Sequence, residues 1–165
     1  MSDYPMRRFR QQLDDAACLE MLEKETHGVL ALCGADGQPY ALPTGYAFAG
    51  DCLYFHSAPA GRKLSIIAEN TLASFCIVGM DEIVPEKLTT YYKSLIIEGT
   101  MEIVQDEKEK RRGLQLIGEK YAPDDPQRLE REIEKSFPRV QLLKLTIRHM
   151  TGKQSIELVK KQSKA

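Results

Sequence analysis

The chain has no tryptophan, three histidines in 165 residues and no Cys-x-x-Cys pair. None of His27, His56 and His149 stands at i, i+4 from another metal-competent residue in a recognisable pattern. A zinc site is therefore not expected, because ligand number and spacing are what specify one. Cys18, Cys33, Cys52 and Cys76 are scattered through the first half, which fits reduced, mostly buried thiols in a cytoplasmic protein. An excess of charge is missing too. Lys+Arg 23 against Asp+Glu 24 leaves a formal net charge of -1, so no global positive field draws in nucleic acid or anionic lipid, and any phosphate site must be local. The longest apolar stretches, such as 29–33 and 95–97, fall far short of the roughly 20 residues that cross a bilayer. No charged-then-apolar signal opens the chain. With no internal repeat or composition break, residues 1–165 suit one domain with one core.

What is present is a change of period along the chain. Residues 14–24 place Leu19 and Leu22 with Cys18 on one helical face and put acids at the N-terminal end, predicting a first helix. Residues 29–33 and 39–48 then read as two strands around an Asp36-Gly37 turn, and 52–56 as a third strand in the meander. A short helix follows from Gly61 to Asn70, with Leu64, Ile67 and Ala68 on its apolar face, and then a strand over 72–78. Pro85 and mixed charges make 80–89 a loop. The longest strand is predicted over 91–104, with a bulge or close backbone approach at Gly99. Charged helices are expected from Asp106 to about Tyr121, with Leu114 and Ile117 inward, and over 127–135. Residues 140–147 and 155–159 read as a final pair of strands around a turn at 150–153, and 160–165 as a frayed tail. Six or seven strands with inserted helices, the first joined by turns too short for crossovers, define an α+β, mainly antiparallel barrel or roll.

The junction after the third strand carries the chemistry. Phe55-His56-Ser57-Ala58-Pro59-Ala60-Gly61-Arg62-Lys63 combines a hydroxyl, small residues that admit close backbone approach, and a helix start with two cations. A helix start presents unpaired N–H groups and a favourable dipole to an anion. Arg62 can bind two phosphate oxygens at once while Lys63 adds a compact charge. The same Gly-Arg-Lys also suits a solvated surface with a helix cap. Neither the P-loop spacing nor Gly-x-Gly-x-x-Gly is present, which disfavours ATP and a Rossmann dinucleotide.

Pro43-Thr44-Gly45-Tyr46, Leu53-Tyr54-Phe55-His56-Ser57-Ala58, Gly61-Arg62-Lys63 and Tyr92-x-Ser94-Leu95-x-Ile97-x-Gly99 together resemble the pyridoxamine-phosphate-oxidase-like FMN-binding split barrels. Met6-Arg7-Arg8 and Thr151-Gly152-Lys153 are similar to the 5-nitroimidazole-resistance (Nim-type) branch. The resemblance covers nearly the whole chain. It implies a split β-barrel and a homodimer holding two FMN molecules at its interface, each touched by both subunits. Arg62 and Lys63, with Ser57, would hold the phosphate. Pro43, Thr44, Gly45 and Tyr46, and Phe55, His56, Ser57 and Ala58, would line the flavin, with Ser94 contributing from the long strand. Tyr91 and Tyr92 are candidates to stack near the ring or simply to pack. Lys153 is either a reach to the partner's flavin or a solvated turn lysine. His56 is the catalytic candidate, since a histidine there can hold substrate or donate a proton; its alternative is a strand-end residue bonded to a turn.

The expected activity is an FMN-dependent oxidoreductase, passing electrons from a nicotinamide or other small-molecule donor to a nitro compound, quinone or similar acceptor. A flavin store or sensor, a haem-binding or deazaflavin-using relative, and an interaction domain are the competing readings. True pyridoxamine-phosphate oxidase activity is disfavoured, because Arg148-His149-Met150-Thr151-Gly152-Lys153 does not reproduce that branch's basic C-terminal motif.

Overall fold

A computed structural model describes residues 5–162. Seven strands form one sheet: β1 (His27–Cys33), β2 (Pro39–Gly45), β3 (Ala47–Ala49), β4 (Cys52–Ser57), β5 (Leu72–Val84), β6 (Thr89–Ile103) and β7 (Gln141–Gln154). The helices are α1 (Asp15–Lys24), α2 (Arg62–Glu69), α3 (Glu107–Tyr121), α4 (Pro126–Ser136) and α5 (Ile156–Gln162). The sheet runs β2-β1-β5-β6-β7-β4-β3 with every neighbour antiparallel. Its edge strands β2 and β3 are consecutive in sequence and joined through Tyr46 alone. The sheet thus curls round on itself without being closed by hydrogen bonds there, an α+β architecture consistent with a split barrel.

Burial explains the strand patterns. β1 alternates inward Leu30 and Leu32 with exposed Val29 and Ala31, as a strand covered on one face should. β4 is buried on both faces: Leu53 and Phe55 join the main core, while Cys52 and Tyr54 join a second cluster with Leu114, Ile117 and Ile133 beneath α3 and α4. That double cover is why it reads as an unbroken apolar run. In the main core the Phe75 ring meets Tyr46 and Phe55 edge-on, with centroids 5.2 and 5.1 Å away. Beneath α3, the Tyr54 hydroxyl donates to Glu109 at 2.9 Å, and the Lys144 ammonium lies 2.9 Å from the same carboxylate.

That triad has a pH consequence. Lys144, then Tyr54, hold the Glu109 carboxyl below its usual range against the opposing effect of burial. A carboxyl lowered by folding stabilises above its unfolded value, about 4.3, and the contribution disappears as pH falls through the folded value. Lys144→Met is expected to lose about 0.2–1 kcal/mol near neutral pH, the size of a partly exposed pair. The loss should shrink in acid, as urea denaturation at pH 7 and pH 3 would show.

Several expectations change. Residues 80–89 are not a loop: β5 runs to Val84 and pairs with β6 from Thr89, so only a tip at Pro85–Lys87 turns, with Leu88 at φ 49°. Asp81, Glu82 and Ile83 are all exposed, so no buried face printed an alternation there. The predicted strand over 39–48 breaks at Tyr46, whose side chain is fully buried. The final strand pair is one strand and one helix: β7 continues through Gln154 because Thr151 and Lys153 pair with Ile96 and Ser94, and Ser155 then starts α5. Residues 160–162 close that helix, and 163–165 lie outside the described residues. Leu19 and Ala68 are exposed, their places in the core taken by Met21 and Ile66.

The expected irregularity at Gly99 is there: the β6–β7 register shifts between Glu98 and Gly99, and a Cβ at 99 would overlap the Thr146 carbonyl. Gly99→Ala is expected to cost about 1–3 kcal/mol, as overpacking against backbone does, read from the urea midpoint.

Candidate functional site

The start of α2 differs from the other helix starts the sequence marked with acids. Asp14, Asp106 and Asp125 cap α1, α3 and α4, each accepting a backbone N–H at 2.7–2.8 Å. At α2 the cap position is Gly61, no side chain accepts from the first turn, and no acid stands in it. Instead Arg62 and Lys63 occupy that turn. Gly61 has φ 142° and ψ 164°, a conformation essentially confined to glycine; it turns the chain from β4 into the helix. Leu64, Ile66 and Ile67 anchor α2 on the core, leaving Arg62 exposed and Lys63 half-buried. The Arg62 guanidinium stacks over Tyr40 at 4.6 Å, beside a cleft lined by Asp36, Gln38, Ile66 and Glu69. Orphan N–H groups plus two cations with no cap make an anion-receptive helix end.

The remaining candidates are spread over the sheet. Ser57 is 3% exposed, and its hydroxyl donates to the Ala58 carbonyl at 2.9 Å. His56 is exposed, on the strand face opposite Phe55 and Ser57. Phe55 and Tyr46 put their rings in the core, so neither side chain faces a ligand. Thr44 and Gly45 are half-buried, and Pro43 and Ala58 exposed. Ser94 and Lys153 are paired across β6 and β7, and the Lys153 ammonium lies 5.5 Å from the Tyr92 ring centre.

One chain does not bring all of these together. Along one row Pro43 pairs with Val29, Val29 with Cys76, Cys76 with Ile96, and Ile96 with Thr151. At about 4.8 Å per strand, Pro43 stands about 14 Å from Ile96 measured along the sheet. An outward-curling sheet also splays side chains on this face apart. The same face carries Val29, Leu72, Val78 and Ile96, 41%, 59%, 58% and 38% exposed, an apolar surface uncovered in the single chain.

Sequence reasoning missed Tyr121 and Lys120, which hold the β2–β3 corner at Tyr46. The Tyr121 hydroxyl accepts the Tyr46 N–H at 2.9 Å and donates to the Thr26 carbonyl. The Tyr46 hydroxyl donates to the Leu22 carbonyl at 2.9 Å, and burial pushes its phenol up. The Lys120 ammonium donates to the Glu25 carbonyl at 2.6 Å and sits 3.9 Å from the Tyr46 ring centre; burial lowers its pKa. Tyr121 and Tyr46 are 75 residues apart, and no local pattern links them. Tyr40, the platform for Arg62, was equally unmarked. Among the described residues no group of three or more His, Cys, Asp or Glu is placed to hold a metal, and no helix is long and apolar enough to cross a membrane.

The family described as pyridoxamine 5′-phosphate oxidase matches residues 14–154. A comparison with curated proteins returns no match. Among solved structures, a Bacteroides thetaiotaomicron protein provisionally named for 5-nitroimidazole antibiotic resistance is 21% identical, with a TM-score of 0.72 over 87% of this chain and 86% of that one. The FAD and heme binding protein of Mycobacterium smegmatis is 22% identical, with a TM-score of 0.73 over 89% and 74%. An FAD-binding protein of Mesorhizobium loti is 25% identical, with a TM-score of 0.60 over 88% and 97%.

Proposed function

This chain belongs to the pyridoxamine 5′-phosphate oxidase family, and from that membership we propose that it is an FMN-dependent oxidoreductase of the nitroreductase kind, with residues 1–165 as one flavin-binding unit. The observation that carries the reading is the uncapped start of α2, where Arg62 and Lys63 stand in place of an acid. A terminal phosphate matches it in charge and in its demand for N–H donors. Bound there, FMN would supply reversible two-electron chemistry. Arg62, steadied on Tyr40, would clamp phosphate oxygens, and Lys63 would add the second charge. The backbone of Pro43, Thr44, Gly45 and Tyr46 would border the ring, held in place by Tyr121. His56, exposed at the strand end, would hold the acceptor or pass it a proton.

We further propose a homodimer. Ser94, Tyr92 and Lys153 lie too far round the sheet to share a ring with Pro43 of their own chain, so they would serve the partner's flavin. The apolar face around Val29, Val78 and Ile96 is a surface a second copy would cover. Ile96→Asp is expected to weaken dimerisation by about tenfold or more, since it buries a charge without a partner; sedimentation velocity across a dilution series checks this.

The test of the cofactor is the absorption spectrum of the purified protein, with the mass of whatever denaturation releases. Flavin absorbance and a mass of FMN support the reading. FAD would keep the flavin and replace the cofactor, a result the named relatives make worth distinguishing. Neither native flavin nor uptake of added FMN would sink it. A flavin that binds but does not turn over with a reduced nicotinamide and a nitroaromatic would instead mark a store or sensor.

A further inference from the structure

Residues 7–10 read Arg-Arg-Phe-Arg, in a chain whose net charge is only -1. Arg7, Arg8, Phe9, Arg10 and Gln11 line a cleft of about 320 Å³ with Ile156 of α5. None of the three guanidiniums forms an ion pair with a carboxylate of the described residues. Three like charges within four residues repel one another, and an anion placed among them relieves that repulsion. Phe9 is 68% exposed, unusual for a phenylalanine, and the Arg10 guanidinium stacks 5.8 Å from its ring centre. Gln11 borders the cleft at 5% exposure, and its Oε1 has no hydrogen-bond partner among the described residues.

The segment is anchored as well as charged. Gln11 N donates to the Arg8 carbonyl at 2.9 Å, Gln12 pairs with Lys153, and Leu13 N donates to the Gly152 carbonyl at 2.9 Å. The arginines therefore project from a turn tied to β7, which lowers the ordering cost of binding.

We propose that this cleft is a nucleotide site, with the phosphates on Arg7, Arg8 and Arg10 and the base on the Phe9 ring. Guanidiniums match phosphate oxygens in pairs, and an exposed aromatic flanked by arginines is a platform for a base. The volume stands at the small end of ligand cavities, about 300–1,000 Å³, which suits a mononucleotide portion. A bilayer or a nucleic acid strand would call for a broad stripe of cations rather than a concavity. The site shares no residue with the α2 segment and does not depend on flavin binding there.

Calorimetric titration of the full-length protein with ADP, adenosine and inorganic pyrophosphate, each with and without saturating FMN, tests this. ADP is expected to bind in both conditions, more tightly than pyrophosphate. Arg7→Ala or Arg8→Ala should weaken ADP and pyrophosphate alike, by about tenfold or more, as lost charged hydrogen bonds do. Phe9→Ala should weaken ADP by about fivefold or more and leave pyrophosphate unchanged, while Arg131→Ala on α4 should change neither. The proposal is overturned if ADP does not bind, if FMN displaces it, or if pyrophosphate binds equally well and Phe9→Ala is silent, which marks a simple anion patch. Displacement of ADP by phosphatidylserine vesicles or a single-stranded oligonucleotide at lower concentration would overturn it in favour of a macromolecular surface.

Discussion

Protein carrying Arg62→Glu together with Lys63→Glu is expected to purify without flavin colour and to bind added FMN at least about a hundredfold more weakly than the parent. Each charged contact to phosphate contributes about 1.5–3 kcal/mol, and tenfold in affinity is about 1.4 kcal/mol, so losing two reaches that size before the new repulsion is counted. The fold should survive, because α2 is held by Leu64, Ile66 and Ile67, none of which is touched. Arg62 is exposed and Lys63 half-buried, so neither change buries a charge deeply. Unchanged urea denaturation of the apoprotein beside lost flavin binding is the expected pair of results. Retained FMN affinity would remove the observation on which the proposed function stands. Arg62→Lys is the finer variant: it keeps the charge but loses the paired donors and much of the stacking on Tyr40, and should fall between the two.

Phe75→Ala is the second large effect, expected to cost about 3–5 kcal/mol, out of a total that for domains of this kind is about 5–15 kcal/mol. Phe75 is fully buried and touches Tyr46 and Phe55 edge-on, so its removal leaves a void between the two strands that would border the flavin. Phe75→Leu, which refills much of that space, should recover most of the loss. Urea midpoints measure the stability change. Flavin affinity of the folded fraction is a second readout: if the corner at Tyr46 relaxes into the void, FMN binding should weaken in Phe75→Ala even where the protein is folded, and return in Phe75→Leu.

Most of the architecture was readable because local chemistry and tertiary demand agree. The Asp36-Gly37 turn, the alternation of β1, the acid-led starts of α1 and α3 and the irregularity at Gly99 each carry their own cause in a few neighbouring residues. Where they diverged, the cause lay elsewhere in the chain. The β5–β6 hairpin beyond Val78 has exposed residues on both faces, so hydrophobic period could not report it. Ile156-Glu157-Leu158 alternates like a strand, yet it follows a β7 already paired to its end at Gln154, and the chain turns into α5 there. Leu19 is apolar but falls on the solvent side of α1, because the side facing the core was set by how α1 packs, not by its own composition.

The candidate site divides in the same way. Gly61, Arg62 and Lys63 stood out from three adjacent residues, because a helix start and two cations are local properties of the chain, whereas the absence of a side-chain cap there came from the structure. That Arg62 rests on Tyr40, that Tyr121 holds the Tyr46 N–H, and that Pro43 and Ser94 lie three strands apart depends on contacts between distant segments. Sequence spacing carries no measure of such distances: whether residues far apart in the chain meet depends on strand register and sheet curvature. The residue types and turns were therefore legible in order along the chain, while how far apart those residues stand on one chain came from the way the sheet curls on its core.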